Sequence, residues 1–166
     1  MLQFEFTREL LSAGKEQGLH CCLDTCGFTK FERYQELFDN VDIFLYDLKE
    51  TDPDLHLEYT GVPLQPILDN LKKLSDAGGE IWLRCPVIPG LNDRDEHFAE
   101  IGRIAELHSG VKQVTIHPYH PLGSSKSKNI GQDYALKDKT FAEKADIASW
   151  VEKVRETTSK SVASEG

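Results

Sequence analysis

Residues 42–49 read Asp42-Ile43-Phe44-Leu45-Tyr46-Asp47-Leu48-Lys49, a short apolar run that ends in charged side chains. A run of this length predicts a buried β-strand, and its charged end predicts a polar tip where the strand gives way to a loop. Because side chains alternate along a strand, Asp47 and Lys49 share one face. Such a carboxylate and ammonium can bind a zwitterionic or hydroxylated ligand, or they can form an ion pair with each other that closes the rim.

The same unit, a strand followed by a polar tip, occurs three more times along the chain. The predicted strands cover residues 19–24, 81–87 and 111–118, and their tips read Asp24-Thr25-Cys26-Gly27, Arg84-Cys85-Pro86 and His117-Pro118-Tyr119-His120. The segments between the strands carry apolar residues at helical spacing. Strands that alternate with helices predict an α/β fold with a parallel sheet, since each connection must cross over the sheet. The tips would then meet at one edge of a partial, TIM-like barrel.

The connections and the chain ends carry further predictions. Residues 50–66 contain several prolines and glycines, which predict a loop with one helical turn. A polar stretch at 123–132 predicts a mobile loop over the rim, followed by a final helix at about 138–155. The last residues, 157–166, lack apolar periodicity and predict a disordered tail after a single domain, residues 1–156.

The first predicted element is a helix at residues 5–17 rather than a strand. The sheet would therefore begin with a strand whose outer edge has no partner, and such edges are normally covered. We expect further strands upstream of this chain.

Composition limits the class of partner. The chain has 166 residues, of which 39% are hydrophobic, enough for one globular domain with a core. Its net charge of -9 argues against nucleic acid and anionic membranes as partners. No apolar stretch approaches the roughly 18 residues of a membrane helix, and the N-terminus lacks the pattern of a secretory signal. These features predict a cytoplasmic protein that acts on a small molecule or on another protein.

The other tips offer candidate site residues. Asp24 and Thr25 would stand at the rim, although Asp-Thr-x-Gly is also ordinary turn chemistry. Arg84 needs an anionic or carbonyl partner because its charge cannot be discharged, so it is a candidate ligand clamp. His120 can donate to a ligand or cap the rim, and it is preferred over His117, which alternation assigns to the opposite face.

The cysteines permit two interpretations. Cys21, Cys22 and Cys26 lie close together, but no second pair of cysteines or histidines follows that would complete a zinc site. Reduced thiols in the core are the preferred interpretation, and metal binding is the alternative.

Five motifs then occur in a fixed order: Leu23-Asp24-Thr25-x-Gly27-Phe28, Asp47-Leu48-Lys49, Tyr59-Thr60-Gly61-Val62, Trp82-Leu83-Arg84 running to Ile88-Pro89-Gly90, and Pro118-Tyr119-His120-x-Leu122-Gly123. Their order and spacing resemble the glycyl-radical enzyme activating proteins, the pyruvate formate-lyase activating enzyme family of the radical S-adenosylmethionine superfamily. The resemblance covers about residues 3–155. It implies a (β/α)6 partial barrel of which this chain supplies the last four βα units.

The resemblance also implies cofactors. Members of this family hold a 4Fe-4S cluster with Cys-x3-Cys-x2-Cys and the amino group of S-adenosylmethionine with Gly-Gly-Glu, and both segments would lie upstream of Met1. Cys22 and Cys26 have the first spacing, but residue 29 is Thr, so the cluster ligands are absent from this chain. The chain by itself is therefore expected to be inactive.

The resemblance also implies roles for residues at the tips of the strands. Residues that match cofactor contacts are Asp47, Lys49, His120 and Arg84. Arg84 also matches a position near the peptide substrate, which makes it a candidate catalytic residue. Asp24 and Thr25 match a monovalent cation site. The implied activity is reductive cleavage of S-adenosylmethionine to a 5'-deoxyadenosyl radical, which takes hydrogen from a glycine of a partner glycyl-radical enzyme.

The implied setting is anaerobic metabolism, with an electron donor such as flavodoxin or ferredoxin. Cys26 and Pro86 depart from the family pattern, and they bear on which glycyl-radical enzyme would be the target. Two alternatives stay open at this point. One is another radical S-adenosylmethionine enzyme, and the other is a half-barrel that binds a partner without catalysis.

Overall fold

The computed structural model describes residues 3–120, 136, 139 and 141–165. Across these residues the elements follow in this order: α1 Phe4–Glu16, β1 Cys22–Thr25, α2 Phe31–Leu37 with a 3-10 turn at Phe38–Asn40, β2 Ile43–Asp47, α3 Pro53–Thr60, α4 Gln65–Asp76, β3 Ile81–Val87, α5 Asp95–Leu107, β4 Val111–Pro118, α6 Lys144–Arg155 and β5 Ser161–Ser164. Within the described part the strands form one sheet in the order β1-β2-β3-β4-β5, and each neighbouring pair is parallel. The predicted α/β fold with a parallel sheet is confirmed.

The sheet has two different faces, set by the alternation of side chains. On one, which we call the helix-covered face, fully buried residues such as Phe44, Tyr46, Leu83 and Ile116 join the core formed with α2, α4, α5 and α6. The other, which we call the open face, carries Asp24 and Asp47 of β1 and β2, Trp82 and Arg84 of β3, and Gln113, Thr115 and His117 of β4. The hydrophobic core therefore lies on one side of the sheet, and the open face is left for polar side chains.

Helix α3 corrects the predicted loop at residues 50–66. The Asp52 carboxylate accepts hydrogen bonds from the amides of Asp54 and Leu55, both at 3.0 Å, and so caps the helix. Pro53 occupies the first turn, where it needs no hydrogen-bond partner, and Gly61 ends the helix with φ +74°. Residues interpreted as helix breakers thus mark the two ends of a short helix.

The predicted disordered tail at residues 157–166 is wrong, because β5 lies within it and pairs with β4. Val162 is buried, and its carbonyl accepts a hydrogen bond from Arg155 Nη2 at 2.7 Å. The polar residues before the strand bind α5, since the Glu106 carboxylate accepts from the Ser159 amide at 2.7 Å. A strand of four residues is too short to show an alternation that sequence reasoning could detect.

Three further predictions concern the remaining segments. Helix α6 begins at Lys144 rather than near residue 138, with Glu143 and Asp146 forming a capping box. The loop predicted at 123–132 lies outside the described residues.

Among the helices that the structure describes, none has the length and hydrophobicity needed to cross a membrane.

Candidate functional site

Asp24 and Asp47, near the carboxyl ends of β1 and β2, meet Arg84, in the middle of β3, on the open face. Asp47 is directly opposite Arg84 in the register of β2 and β3. Arg84 Nη2 donates to Asp24 Oδ1 at 2.6 Å and to Asp47 Oδ1 at 2.7 Å, and Arg84 Nε donates to Asp47 Oδ1 at 3.0 Å. The predicted clamp residue therefore connects three strands.

Lys49 completes this cluster. Its Nζ donates to Asp47 Oδ2 at 3.0 Å, so each oxygen of Asp47 faces a different cation. The predicted ion pair between Asp47 and Lys49 is thus present, yet the Lys49 side chain is 42% exposed whereas that of Asp47 is 17% exposed. The Lys49 ammonium can therefore turn from Asp47 to a ligand without leaving a buried position, because it is already partly exposed to water.

The charges of the cluster balance, with two carboxylates and two cations. Burial disfavours the charge of Arg84, but its hydrogen bonds to Asp47 and Asp24 outweigh this effect and raise its pKa above the ordinary value. A cluster that already pairs opposite charges suits a ligand that carries both signs or several hydroxyls.

Asn92 holds two of the tips in place. Its side chain is buried, and its Nδ2 donates to the carbonyls of Lys49 at 2.9 Å and Pro86 at 2.8 Å, while its Oδ1 accepts from the Ile88 amide at 2.7 Å. In the sequence, an asparagine just before a helix indicates no more than a candidate helix cap, so this role of Asn92 was not predicted. The backbone after β2 is thereby joined to the backbone after β3.

Gly27 fixes the tip of β1. It has φ +79°, and a Cβ at this position would lie 2.0 Å from the hydroxyl of Tyr46. That hydroxyl donates to the carbonyl of Ile67 at 2.6 Å, and Asn70 Nδ2 donates to the carbonyl of Gly27 at 2.8 Å. Any side chain at residue 27 would therefore displace either this tip or the ring of Tyr46.

Thr25 is not brought to the cluster by its side chain. Its Oγ1 lies 2.7 Å from the hydroxyl of Tyr34 on the helix-covered face, whereas Asp24 projects on the open face. Burial raises the pKa of Tyr34 to about 12. The Asp24–Thr25 cation site stays a prediction, and the Thr25 hydroxyl already has a partner elsewhere.

His120 lies just beyond β4 and is exposed. Its ring packs edge-on against that of Phe141, with a centroid distance of 4.8 Å. Its role as a cofactor contact stays a prediction.

His117 was assigned to the face opposite the site, and the register corrects this assignment. It pairs with Pro86, which shares the face of Arg84, so His117 lies on the open face. Strand alternation cannot be carried from His120 back to His117, because β4 ends at Pro118. A usable signal was present, since Gln113, Thr115 and His117 alternate with the apolar residues of β4.

A cavity of about 320 Å³ adjoins the cluster, with Asp47 and Lys49 in its wall. The rest of the lining is mostly apolar and includes Phe28 and Val62. A second cavity of about 290 Å³ also has Lys49 in its wall. The ammonium of Lys49 therefore stands between two largely apolar spaces at the carboxyl ends of the strands.

The prediction that Cys21, Cys22 and Cys26 are thiols in the core is wrong, because Cys22 and Cys26 are exposed and Cys21 is only partly buried. Cys85 is buried on the helix-covered face, and burial raises the pKa of its thiol. In the part of the chain that the structure describes, no three His, Cys, Asp or Glu side chains are placed to hold a metal ion. The residues of this chain do not fit a 4Fe-4S cluster, which needs a set of converging thiolates.

The sequence model of the Radical SAM superfamily matches residues 1–101. The chain belongs to this superfamily. It is 38% identical over 141 residues to the pyruvate formate-lyase-activating enzyme of Streptococcus mutans, an alignment that covers 81% of this chain and 54% of that relative. This radical SAM chain thus spans about half the length of that relative.

Solved structures agree with the fold. A domain of the pyruvate-formate lyase-activating enzyme from Bacteroides vulgatus superposes with a TM-score of 0.81 at 21% identity, covering 99% of this chain and 92% of that one. Streptococcus suis SuiB, solved with bound S-adenosylmethionine, gives a TM-score of 0.72 at 17% identity, covering 96% of this chain and 36% of that one. These likenesses establish the partial radical SAM barrel.

Proposed function

We propose that this chain is the C-terminal portion of a glycyl-radical enzyme activating protein. The observation that carries the proposal is the convergence of Asp24, Asp47, Lys49 and Arg84 at one edge of the sheet, in a chain 38% identical to a pyruvate formate-lyase-activating enzyme. The target would be a glycine of a partner enzyme similar to pyruvate formate-lyase.

The cluster fits S-adenosylmethionine by its chemistry. Lys49 can pair with the carboxylate of the methionine part, and Asp47 can accept hydrogen bonds from hydroxyls or an ammonium. Arg84 keeps Asp47 oriented while the ligand binds, because two of its nitrogens hold one oxygen of that carboxylate. When bound and reduced, the cofactor supplies the radical that removes the glycine hydrogen, and the protein supplies position and exclusion of water.

His120 is proposed as a further contact to the cofactor, and Asp24 with Thr25 as a monovalent cation site. These roles are supported by the motifs in which the residues stand. The electron donor is proposed to be flavodoxin or ferredoxin, and the location to be the cytoplasm.

The iron–sulfur cluster is proposed to be held by a part of the protein upstream of this chain. The described cysteines lack the arrangement for it. The chain by itself is therefore expected to cleave no S-adenosylmethionine.

The decisive experiment compares this chain with the protein extended upstream, both treated with iron and sulfide without oxygen and then with dithionite. We expect 5'-deoxyadenosine and methionine from the extended protein only, and an electron paramagnetic resonance signal of a glycyl radical when pyruvate formate-lyase is added. An extended protein that incorporates the cluster but cleaves no cofactor would contradict the proposal. Cleavage without a glycyl radical on the added partner would point to another class of radical SAM enzyme.

A matched pair of variants tests the site. Asp47→Asn in the extended protein removes a charge that faces both Arg84 and Lys49, and cleavage should fall roughly 100-fold. The control is Asp76→Asn, which changes an exposed carboxylate at the end of α4, paired with Lys72 and remote in sequence from the tips. Equal losses in the two variants would show that the cluster is not the site.

A further inference from the structure

His117 occupies a position on the open face that the proposed function does not use. In the register of β3 and β4, Thr115 stands opposite Arg84, and His117 stands opposite Pro86. His117 is therefore two residues farther along β4 than the partner of Arg84. Gln113 Nε2 donates to Thr115 Oγ1 at 3.0 Å, so the polar residues before His117 on this face satisfy each other. His117 is thus the last residue of a polar row that leads to the carboxyl end of the sheet.

The imidazole of His117 has an unused polar atom. Its Nε2 is buried, and among the described residues it has no hydrogen-bond partner. A buried polar atom without a partner destabilises the folded state, because it loses its hydrogen bonds to water. Such an atom in a candidate site indicates a contact that a ligand would complete.

The charges around His117 come from β1, β2 and β3 and from the residue after β5. Glu165 after β5, Asp47 of β2 and Asp24 of β1 favour a protonated ring, and Arg84 of β3 disfavours it. Burial is the largest effect, and the pKa of His117 lies below its ordinary value. At neutral pH the ring is therefore uncharged, with one nitrogen that donates and one that accepts.

We propose that His117 is a ligand-contacting residue that helps determine specificity, with Nε2 hydrogen-bonded to a neutral polar group of the ligand bound beside Arg84. The inference rests on the proposed function for the nature of that ligand. The Arg84 cluster takes the charged groups, whereas an uncharged imidazole suits an amide, a hydroxyl or a ring nitrogen. Two sources offer such groups, namely S-adenosylmethionine and the main chain of the peptide substrate.

The test uses the extended protein with its cluster in three variants: His117→Leu, His117→Gln and, as control, His20→Leu. Leu has a similar size but no polar atom, Gln keeps a hydrogen-bonding group, and His20 is an exposed histidine before β1. Two quantities are measured: the Kd of S-adenosylmethionine by equilibrium dialysis without reductant, and the KM of a peptide that carries the glycine loop of a pyruvate formate-lyase.

We expect His117→Leu to raise one of these constants about 10-fold, the effect of one lost hydrogen bond, and His117→Gln to restore it to within about 3-fold. A change in Kd assigns the contact to the cofactor, and a change in KM alone assigns it to the peptide. If neither constant changes in His117→Leu while the wild-type protein is active, the inference on His117 is overturned and the proposed function stands. If the wild-type protein itself does not bind or cleave the cofactor, the proposed function fails instead.

Thermal unfolding separates this role from a structural one. Because Leu removes a buried polar atom without a partner, the Tm of His117→Leu should stay the same or rise by about 2–4 °C while ligand binding weakens. A residue that served only packing would show the reverse, a lower Tm with unchanged binding. That result would also overturn the inference.

Discussion

Along strand β2, consecutive residues lie in turn on the helix-covered face and on the open face of the sheet. Phe44 is 1% exposed and packs its ring against Tyr34, with ring centroids 6.1 Å apart, whereas its neighbour Leu45 is only partly buried on the open face. Farther along the strand, Tyr46 is fully buried and Asp47 binds Arg84. Residues one position apart therefore have different roles. Those on the helix-covered face stabilise the fold, and those on the open face form the candidate site. Substitutions on the two faces should separate stability from ligand binding.

The largest expected effect comes from a pair of neighbours on β2. Phe44→Ala removes a buried ring from the core and should lower the free energy of unfolding by about 3–5 kcal/mol. Leu45→Ala lies on the partly exposed face and should cost less than half as much. Urea unfolding of the two variants and the wild type provides the measurement. Equal losses would show that the open face carries as much of the stability as the helix-covered face.

Glu50 is a charged exception on the helix-covered side, where it follows Leu48. It is fully buried, and its Oε1 accepts from Arg94 Nη2 at 2.8 Å and from the Asp52 amide at 3.0 Å. Burial favours the neutral acid, but hydrogen bonds from His97, the Asp52 amide and Arg94 outweigh it and lower the pKa of Glu50 to about 2.

The second prediction follows from this lowered pKa. Since the folded-state pKa lies below the ordinary value of 4.5, the stabilisation is present above pH 4.5 and is lost as the pH falls towards 2. The loss should amount to about 3 kcal/mol, at 1.36 kcal/mol for each pH unit of the difference. Urea unfolding at several pH values should show it in the wild type and not in Glu50→Gln. An exposed control, Glu58→Gln on α3, should keep the wild-type pH dependence.

The smallest stability effect is expected at Asp24 on the open face. Its side chain is 61% exposed, so Asp24→Asn should change the free energy of unfolding by less than about 1 kcal/mol even though it breaks the contact with Arg84. The proposed cation site makes a separate prediction for the extended protein. Binding of S-adenosylmethionine should depend on sodium or potassium in the wild type and should lose this dependence in the variant. A binding curve insensitive to these ions in both proteins would remove Asp24 from that role.

The sequence contained enough to predict the sheet and much of the site. The repeated strand-and-tip pattern predicted the parallel order that puts Asp47 opposite Arg84. It did not predict β5, because pairing with β4 and burial of Val162 stabilise that strand and neither is visible in four residues. It also assigned His117 to the wrong face, although Gln113, Thr115 and His117 alternate with the apolar residues of β4 and the register with β3 places all three on the open face.

Helix α3 shows a different reason for error. Prolines and glycines in residues 50–66 predicted a loop with one helical turn, yet Pro53 and Gly61 occupy the two positions where a helix accepts them, and the helix has 8 residues. Thr25 was predicted to stand at the rim with Asp24, although its hydroxyl bonds to Tyr34 on the helix-covered face. In both cases the position of a residue within an element mattered more than its type.

The order of the strands has a consequence for synthesis of the protein. Among the described strands, each one after β1 pairs with the strand before it in the chain, so each finds its partner already present as the chain leaves the ribosome. Domains generally fold from the N-terminus during translation, at about 5–20 residues per second. We therefore expect assembly to proceed in one direction, one βα unit at a time. A ribosome that pauses within the chain would hold a sheet that is already paired up to its last complete strand.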